Sequence, residues 1–521
     1  MIRSILKSLL KPDAYPEPTS KVEMVQTHVS WIFLTDGHAY KVKKPVDFGF
    51  LNFSTIDRRR FYCNEEIKYN SRLCPDIYEG VVELREAPDG AAFHGNGAVL
   101  DYAVKMKRLP AEGMLDRLVT ERRATAADLR DVARVIAEFH RTAETSPGIS
   151  QYGHLERILS NWQENFDQAA PLESTTLPAS EREFIRDWVV SFAREHAEAF
   201  DQRVKGGFIR ECDGDIHLEN ICLTEGRIYI FDCIEFNERF RCCDTASDMA
   251  FLLMDLDFHG RHDLAEETAA AYLEASGDSG MPGVIEFYKV YRAFIRGKVE
   301  SFRLNDAGPD LQERERIISK AARYFRLARG YIERHTLLPT LFITCGLMGS
   351  GKSTLAAQLF FELGIPVFRS DAIRKQMAGI PVDEPAPAGY GHGLYEKDTT
   401  RATYNELARR AEEELAMGRS AVIDASFISR DHRLEFAALA ERYRARFVVL
   451  HVSCSETETR RRLVARAASG RSVSDGRFEL LPSQRERFEP PLANEGLVIP
   501  LHTGTSPASL TSQIYKRLRI A

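Results

Sequence analysis

The chain has 521 residues, of which 44% are hydrophobic and 28% charged, and its formal net charge is −6 at pH 7. This composition is typical of folded globular proteins, and the length predicts about two to four domains rather than a single core. The weakly negative charge gives no global reason to expect binding to nucleic acids or membranes, although it leaves local basic faces open.

The nine cysteines include no CxxC pair. They therefore predict a reducing compartment, the cytoplasm, and argue against a disulfide framework. Five of the nine lie between Cys212 and Cys243. We interpret this group as small apolar filler in preference to a metal or redox site.

The first residues, MIRSILKSLLKP, predict a short amphipathic helix that Pro12 ends. Lys7 and Ser8 interrupt its apolar run, and no later segment supplies the ~20 apolar residues that a membrane span requires. We expect this helix to dock on the protein's own surface. A membrane or partner contact is the alternative.

Residues 20–110 are predicted to form strands, one helix and more strands. The segment VSWIFLTDGHAYKVKKPV alternates around Asp36-Gly37 as a β-hairpin does. Residues 56–73 have helical character, and two alternating segments flank a turn at 88–90. The following region, 112–200, has apolar residues at three- and four-residue spacing, which predicts helices.

From Gly206 onward, short apolar runs are punctuated by acidic residues, among which Asp215, Asn220 and Asp232 form an informative set. A D-x-x-x-x-N loop places a carboxylate where it orients an attacking hydroxyl, and a carboxamide where it holds a metal. An Asp after a later strand supplies a second metal contact. The alternative is that each acid is an ordinary solvated loop residue.

The segments GDIHLEN and IYIFDCIEF resemble the catalytic and metal-binding segments of the aminoglycoside phosphotransferase family, which is related to protein kinases. The resemblance covers roughly residues 20–330 and is strongest over 206–252. It implies that Asp215 is the catalytic base and that Asn220 and Asp232 are Mg²⁺ ligands. The sequence departs from the family at Asp213, where the family usually has His.

The same resemblance implies a nucleotide-binding lysine in the early hairpin. Lys41, in AYKVKK, would pair with the α- and β-phosphates of ATP, and Glu66 or Glu65 would hold it. Strand alternation points Lys43 the same way, so Lys43 is also a candidate; a solvated basic strand edge is the plain alternative. No G-x-G-x-x-G precedes Lys41, which fits the aminoglycoside-type branch better than protein kinases.

Residues 332–340, IERHTLLPT, mark the predicted boundary between a domain at 1–335 and a domain at 336–521. Five candidate strands then alternate with helical patterns, which predicts a parallel sheet with right-handed crossovers. These strands are LFITC, PVFRS, SAVIDAS, RFVVLHVS and GLVIPLHT. We interpret the Pro/Gly-rich stretch 379–393 as a mobile loop near the substrate.

The first of these strands leads into GLMGSGKST, which matches the pattern GxxxxGK[ST]. A Gly-rich turn points successive backbone N–H groups at phosphate oxygens, and the helix that follows adds the positive end of its dipole. Lys352 is expected to reach the β- and γ-phosphates, and the Ser353 hydroxyl to ligate Mg²⁺. The predicted nucleotide-binding residues are Gly346, Gly349, Ser350, Gly351, Lys352, Ser353 and Thr354.

Four further side chains are predicted to act at this site. Asp371 follows the second strand, where its carboxylate can take the proton from a substrate hydroxyl; an N-cap role is a compatible alternative. Asp424 ends the strand SAVID and is expected to hold Mg²⁺ through water, unless it is a simple strand-end acid. Arg462 and Arg466 lie one helical turn apart and suit a lid that closes on phosphates, whereas a solvated arginine-rich helix is the plain alternative.

The segments SDAIRK, VIDASF and RLVAR make this domain similar to the P-loop kinases that include gluconate kinase, zeta toxins and polynucleotide 5′-kinases. The predicted fold is therefore an α+β protein-kinase-like domain followed by an α/β P-loop NTPase domain with a parallel sheet. The predicted function is ATP-dependent phosphoryl transfer, bifunctional, from the γ-phosphate of ATP-Mg²⁺ to hydroxyl groups of unidentified small-molecule acceptors.

Two alternatives belong to other functional classes. In the first alternative, the N-terminal domain is a nucleotide-binding regulator of the P-loop domain, and the hint is Asp213. In the second alternative, the chain binds nucleic-acid ends, and the only hint is the arginine-rich segment 460–487.

Overall fold

The computed structural model describes residues 2–49, 51–305, 308–381, 396–469 and 480–520, except for the side chains of 2–3 and 466–469. The chain divides into two compact units, Met1–Ala328 and Arg329–Ala521. The division falls inside a long helix, Leu311–Thr336, whereas the sequence placed the boundary at the end of that helix. The first unit is α+β and the second is α/β with a parallel sheet, so the predicted fold class is confirmed.

The N-terminal unit contains a six-stranded antiparallel sheet in the order β1-β2-β3-β6-β4-β5. The predicted hairpin is confirmed, because Leu34 of β2 pairs with Ala39 of β3 across Asp36-Gly37. The strands are β1 (Glu23–Gln26), β2 (Ser30–Leu34), β3 (His38–Lys43), β4 (Tyr78–Ala87), β5 (Gly90–Ala92) and β6 (Val99–Lys107).

One face of this sheet is covered by the N-terminal segment of the chain. Leu9 and Tyr15 are buried in the same apolar cluster as Tyr40 and Val42 of β3. The predicted docking of the first helix on the protein's own surface is therefore confirmed. Because side chains alternate along a strand, Lys41 and Lys43 lie on the opposite face, towards the helix α2.

Helices and short strands make up the rest of this unit. The helices are α1 (Ile2–Ser8), α2 (Ile56–Asn70), α3 (Leu115–Thr120), α4 (Ala126–Thr142), α5 (Pro147–Ser150), α6 (Leu155–Ala169), α7 (Ala179–Glu195), α8 (Ala197–Lys205), α9 (Glu238–Arg241), α10 (Thr245–Phe258), α11 (His262–Ser276), α12 (Ile285–Phe302) and α13 (Leu311–Thr336). The strands β7 (Ile209–Glu211) and β10 (Cys242–Asp244) pair with each other, as do β8 (Ile221–Thr224) and β9 (Arg227–Ile230). The central helix α10, which follows the acidic loop region in the chain, is buried along its whole length.

The C-terminal unit is built on a five-stranded parallel sheet in the order β12-β13-β11-β14-β15. All five predicted strands are present, as β11 (Thr340–Cys345), β12 (Val367–Arg369), β13 (Ala421–Asp424), β14 (Arg446–Ser453) and β15 (Leu497–His502). Its helices are α14 (Lys352–Leu363), α15 (Ser370–Met377), α16 (Lys397–Ala416), α17 (Arg430–Arg442), α18 (Glu456–Ser469), α19 (Leu481–Glu486) and α20 (Pro507–Ile520). Apolar cores fill both faces of the sheet, so the polar residues that end β11, β12 and β13 meet at one edge.

Two predictions fall on residues outside those described. Most of the loop predicted at 379–393 lies in the undescribed range 382–395, and the Arg466 side chain is likewise not among those described. Among the described residues, none of the helices has the length and apolar character needed to cross a membrane.

Candidate active sites

In the N-terminal unit, the Lys41 side chain lies between two carboxylates. Its Nζ is 2.8 Å from Glu66 Oε1 and also contacts Asp232 Oδ1. The alternative partner Glu65 is 3.6 Å from Lys68 instead. Burial disfavours the Lys41 ammonium, but Asp232 and Glu66 together raise the pKa of Lys41 well above its usual value, so this side chain is charged.

Lys43 occupies a deeper position beside the same glutamate. Its Nζ is 2.6 Å from Glu66 Oε2 and also contacts Glu235 Oε1. The Lys43 side chain is 1% exposed, whereas Asp232, the second partner of Lys41, is 43% exposed. Lys41 is therefore the lysine at the accessible end of this network.

The loop after β7 brings Asp215 and Asn220 together. Asn220 Nδ2 donates to the main-chain oxygen of Asp215 at 3.1 Å and to Asp215 Oδ2 at 3.2 Å. His217 Nε2 lies 3.5 Å from the same carboxylate oxygen. Burial raises the pKa of Asp215, but His217 and Arg296 outweigh it and lower this pKa below its usual value, so Asp215 is ionised at neutral pH.

Asp232 is joined to this loop through the main chain. The Phe231 N–H donates to the Asn220 carbonyl oxygen at 3.0 Å, and Asp232 has a left-handed backbone with φ of 67°. Such a conformation is unfavourable for a residue with a side chain, and it is often found where a functional group must be aimed. The Asn220 amide nitrogen faces Asp215, which leaves its carbonyl oxygen, together with the Asp232 carboxylate, as an all-oxygen donor set that suits Mg²⁺.

Asp248, in the first turn of α10, contacts the backbone of the loop that carries Asp215. Its two carboxylate oxygens accept hydrogen bonds from the N–H groups of Asp213 at 3.1 Å and Gly214 at 2.9 Å. His140 Nε2 lies 3.2 Å from Asp248 Oδ2, and Arg292 Nη1 donates to the Gly214 carbonyl oxygen at 2.9 Å. The backbone that carries Asp215 is thus fixed by buried, charge-assisted hydrogen bonds.

Asp213 stands where the resemblance leads one to expect His. Its side chain is buried, and its Oδ1 accepts a hydrogen bond from the Asp215 N–H at 3.1 Å. Burial and the neighbouring Asp248 raise the pKa of Asp213 well above its usual range. The protonated form of Asp213 is therefore favoured more than in a solvated aspartate, which reduces the charge that this side chain adds to the loop.

In the C-terminal unit, the loop between β11 and α14 has the backbone that its glycines predict. Gly346, Gly349 and Gly351 have φ of 146°, 75° and 100°. A Cβ on Gly346 would lie 2.2 Å from the carbonyl oxygen of Val452, so this position requires glycine. Lys352 begins α14, and its Nζ donates to the Leu347 carbonyl oxygen at 2.8 Å, across the loop that would receive phosphates.

Asp424 and Thr344 lie on adjacent strands beneath this loop. Thr344 Oγ1 is 3.4 Å from Asp424 Oδ1, and Arg369 Nε lies 3.3 Å from Asp424 Oδ2. Ser353 is in the first turn of α14. The Ser353 hydroxyl and the Asp424 carboxylate are both oxygen donors at the carboxyl edge of the sheet, so their chemistry fits Mg²⁺.

Asp371 lies in the first turn of α15, whose N-cap is Arg369. The alternative N-cap role predicted for Asp371 is therefore wrong, because the helix begins one residue earlier, at Ser370. Asp371 Oδ1 is instead 3.1 Å from Arg374 Nη1. Arg374 is buried, and sequence reasoning missed it although it lies three residues further along the same helix.

Arg462 does not extend into solvent but lies against the P-loop. Its Nη2 and Nη1 donate at 2.9 Å to Thr503 O and Oγ1, and Glu458 Oε1 accepts from its Nε at 2.8 Å. Thr503 Oγ1 in turn donates to the Ser350 carbonyl oxygen at 2.7 Å. The plain alternative of a solvated arginine is therefore wrong for Arg462, whereas the Arg466 side chain lies outside the described residues.

The short helix α19 also contacts the P-loop. Gln484 is buried, and its Oε1 accepts a hydrogen bond from the Met348 N–H at 2.8 Å. A cavity of about 160 Å³ lies beside this contact, lined among others by Ser350, His451 and Arg485. The buried Ser350 hydroxyl has no hydrogen-bond partner within the described residues.

All nine cysteines are free thiols, and seven are buried. His140, Cys212 and Asp248 bring one potential ligand atom each within 4.8 Å of one another. His140 and Asp248 contact each other, and Cys212 Sγ donates to the Cys243 carbonyl oxygen at 3.5 Å. Burial raises the pKa of Cys212 well above its usual value, which disfavours the thiolate that a metal would require.

Known proteins resemble both the whole chain and its C-terminal unit. A family model described as "AAA domain" matches residues 341–491, which contain the P-loop and Gln484. An uncharacterised protein of Mycobacterium tuberculosis is 29% identical over 458 residues, which is 87% of this chain and 88% of that protein. An uncharacterised protein of Mycobacterium bovis gives the same values. The predicted recognition of a P-loop domain at the C-terminal end is thereby confirmed.

Two solved structures illustrate the similarity of parts of this chain to kinases. A gluconokinase from Sinorhizobium meliloti 1021 is 22% identical with a TM-score of 0.26, over 35% of this chain and 94% of that chain. A choline/ethanolamine kinase family protein from Mesorhizobium loti is 13% identical with a TM-score of 0.37, over 63% of this chain and 94% of that chain.

Proposed function

We propose that the chain is an ATP-dependent phosphotransferase with two nucleotide sites, one in each unit, that transfers the γ-phosphoryl group to hydroxyl acceptors. The observation that carries the proposal is the position of the Lys41 ammonium between Glu66 and Asp232. The P-loop alone would account for one nucleotide site. The second requires an independent arrangement for binding phosphates and a metal, and the contacts of Lys41, Glu66 and Asp232 support such an arrangement in the N-terminal unit.

In the N-terminal site, Lys41 binds the α- and β-phosphates while Glu66 orients it. The Asp215 carboxylate accepts a hydrogen bond from the acceptor hydroxyl and orients it for attack, and its lowered pKa keeps it ionised for this role. Asn220 and Asp232 would hold Mg²⁺, and the bound ion would supply positive charge to neutralise the phosphates. Catalysis here consists of positioning and electrostatic stabilisation.

In the C-terminal site, the main-chain N–H groups of the P-loop and the Lys352 ammonium receive the phosphates. Ser353 and Asp424 would hold Mg²⁺, and Asp371 takes the proton from the acceptor hydroxyl. Arg374 orients Asp371 through their 3.1 Å contact. Arg462 stabilises charge near Gly351, since a Cβ there would lie 3.0 Å from Arg462 Nη1. The lid role of Arg466 stays a prediction from the sequence.

The test compares labelled products formed from γ-labelled ATP and a pool of hydroxyl acceptors. Wild type, Lys352→Ala and Asp215→Asn are assayed beside the control Asp201→Asn, whose carboxylate is half exposed on α8. We expect each of the two site variants to remove a different product and the control to remove none. Calorimetric titration with ADP-Mg²⁺ should give two sites in wild type and one in Lys352→Ala.

The outcome also separates the alternatives. If Lys352→Ala abolishes all transfer while Asp215→Asn changes only its rate, the N-terminal unit is a regulator and the bifunctional proposal is refuted. A product labelled only on oligonucleotide ends would identify nucleic acid as the acceptor. If no variant changes the product pattern, neither site transfers phosphate.

A further inference from the structure

The N-terminal site contains a second lysine–carboxylate pair that the proposed phosphoryl transfer does not use. Lys43 and Glu235 contact each other, and both are almost fully enclosed, with side chains 1% and 6% exposed. Lys43 Nζ also lies 4.8 Å from the centre of the Phe53 ring. A lysine enclosed in this way cannot reach a ligand that enters from solvent.

Glu66 divides its two carboxylate oxygens between the two lysines. Oε1 is 2.8 Å from Lys41, and Oε2 is 2.6 Å from Lys43. Burial disfavours ionised Glu66, but Lys41 and Lys43 outweigh it and lower the pKa of Glu66 to about 2. The glutamate thus keeps one cationic partner even when the other moves away.

The contact between Lys41 and Asp232 competes with the roles proposed for both side chains. Asp232 is the proposed Mg²⁺ ligand and Lys41 the proposed phosphate-binding residue, so nucleotide binding favours a turn of the Lys41 ammonium from Asp232 towards the phosphates. Without a second cation, Glu66 and Glu235 would both compete for Lys41, because buried carboxylates that lack a partner are costly. Lys43 removes this competition by pairing with both.

We propose that Lys43 and Glu235 form a positioning pair, which keeps Glu66 oriented while Lys41 moves from Asp232 to the phosphates of the nucleotide. Glu235 is three residues beyond Asp232, so the pair also ties the segment that follows β9 to strand β3. This inference rests on the proposed nucleotide site of the N-terminal unit. It assigns Lys43 a role through Lys41 and not through contact with the ligand.

The experiment measures ATP-Mg²⁺ affinity in the full chain carrying Lys352→Ala, so that binding at the P-loop does not mask the N-terminal site. Lys43→Met in this background is expected to weaken binding by roughly 10- to 100-fold, the usual effect of removing a group that orients a ligand-binding residue. Adding Glu235→Gln removes the orphaned charge and should restore most of the affinity. Lys68→Met, at an exposed lysine of α2, is the matched control and should bind like the parent.

A double-mutant cycle separates positioning from general damage to the fold. If Lys43 acts through Lys41, adding Lys43→Met to Lys41→Met should change ATP affinity less than about twofold, because the group it positions is already gone. Additive losses in the cycle, or no rescue by Glu235→Gln, would overturn the positioning role alone. Absence of ATP binding in the Lys352→Ala parent would overturn the proposed N-terminal site as well.

Discussion

The replacement Asp248→Asn tests whether the buried carboxylate beneath the acidic loop holds Asp215 in place. The Asp248 side chain is fully enclosed, and its two oxygens accept from the N–H groups of Asp213 and Gly214. Asparagine has one carbonyl oxygen, so its amide N–H₂ group must face one of these donors. The variant therefore loses a charge-assisted hydrogen bond and leaves a buried N–H group without an acceptor.

The expected cost follows from these two losses. A hydrogen bond to a charged group contributes about 1.5–3 kcal/mol, and a buried donor left without a partner costs about 1–3 kcal/mol, so the N-terminal unit should lose roughly 2.5–6 kcal/mol of its free energy of unfolding. For a unit of this size, that loss lowers the melting temperature by about 4–9 °C. Transfer that depends on Asp215 should fall further than nucleotide affinity, because the loop carries the proposed base while Lys41 lies on another element.

The assay is thermal unfolding of the full chain, followed by calorimetry so that the transitions of the two units are resolved. Asp201→Asn is the control, since Asp201 is an exposed carboxylate that forms an ion pair with Lys205 on the same helix. A melting temperature of Asp248→Asn within 1 °C of the control would refute the reasoning. So would an equal loss of transfer at both sites.

Two further outcomes are expected. Asp213→Asn should stabilise the N-terminal unit at neutral pH. Burial and Asp248 raise the pKa of the Asp213 carboxyl in the folded state, so the stability it contributes is full below its unfolded pKa and is lost as pH rises through its folded pKa. Melting curves from pH 4 to 8 should therefore decline less for the variant, and an identical decline would contradict the raised pKa of Asp213. Gly346→Ala should abolish nucleotide binding at the P-loop, because the alanine Cβ would lie 2.2 Å from the Val452 carbonyl oxygen. The control for backbone strain alone is Gly418→Ala, at a turn with open space around it. An ADP stoichiometry that calorimetry finds unchanged in Gly346→Ala would contradict this loop geometry.

Much of the C-terminal fold could be predicted because its signals are local. Each strand of the parallel sheet is a short apolar run, and the glycines of GLMGSGKST mark the loop in the sequence by their spacing alone. Gln484 was not assigned a role because its contact depends on how the chain folds back onto the loop: its hydrogen bond to Met348 spans 136 positions of the chain. Arg374 lies three residues from Asp371 on the same helix, so helical spacing was the signal that could have found their contact.

In the N-terminal unit, local pattern left a choice that only tertiary structure resolves. Strand alternation placed Lys41 and Lys43 on one face but could not say which lay nearer the open edge. The difference arises from their second partners, because Asp232 is half exposed and Glu235 is enclosed. Glu235 was visible in the segment IYIFDCIEF, but nothing in the sequence indicated that it pairs with Lys43, 192 positions away.

Both proposed sites must neutralise the negative charge of phosphates, but they use different chemical groups to do so. The P-loop relies on main-chain N–H groups and on glycines that admit close approach, so its binding should resist the loss of any one side chain except Lys352. The N-terminal site relies on mobile side-chain charges, and each buried charge there needs a partner when the ligand is absent. This need accounts for the alternation of two lysines with Glu66, Asp232 and Glu235. The network is therefore expected to be the more sensitive of the two sites to single neutralising substitutions, and the P-loop the more sensitive to an added Cβ.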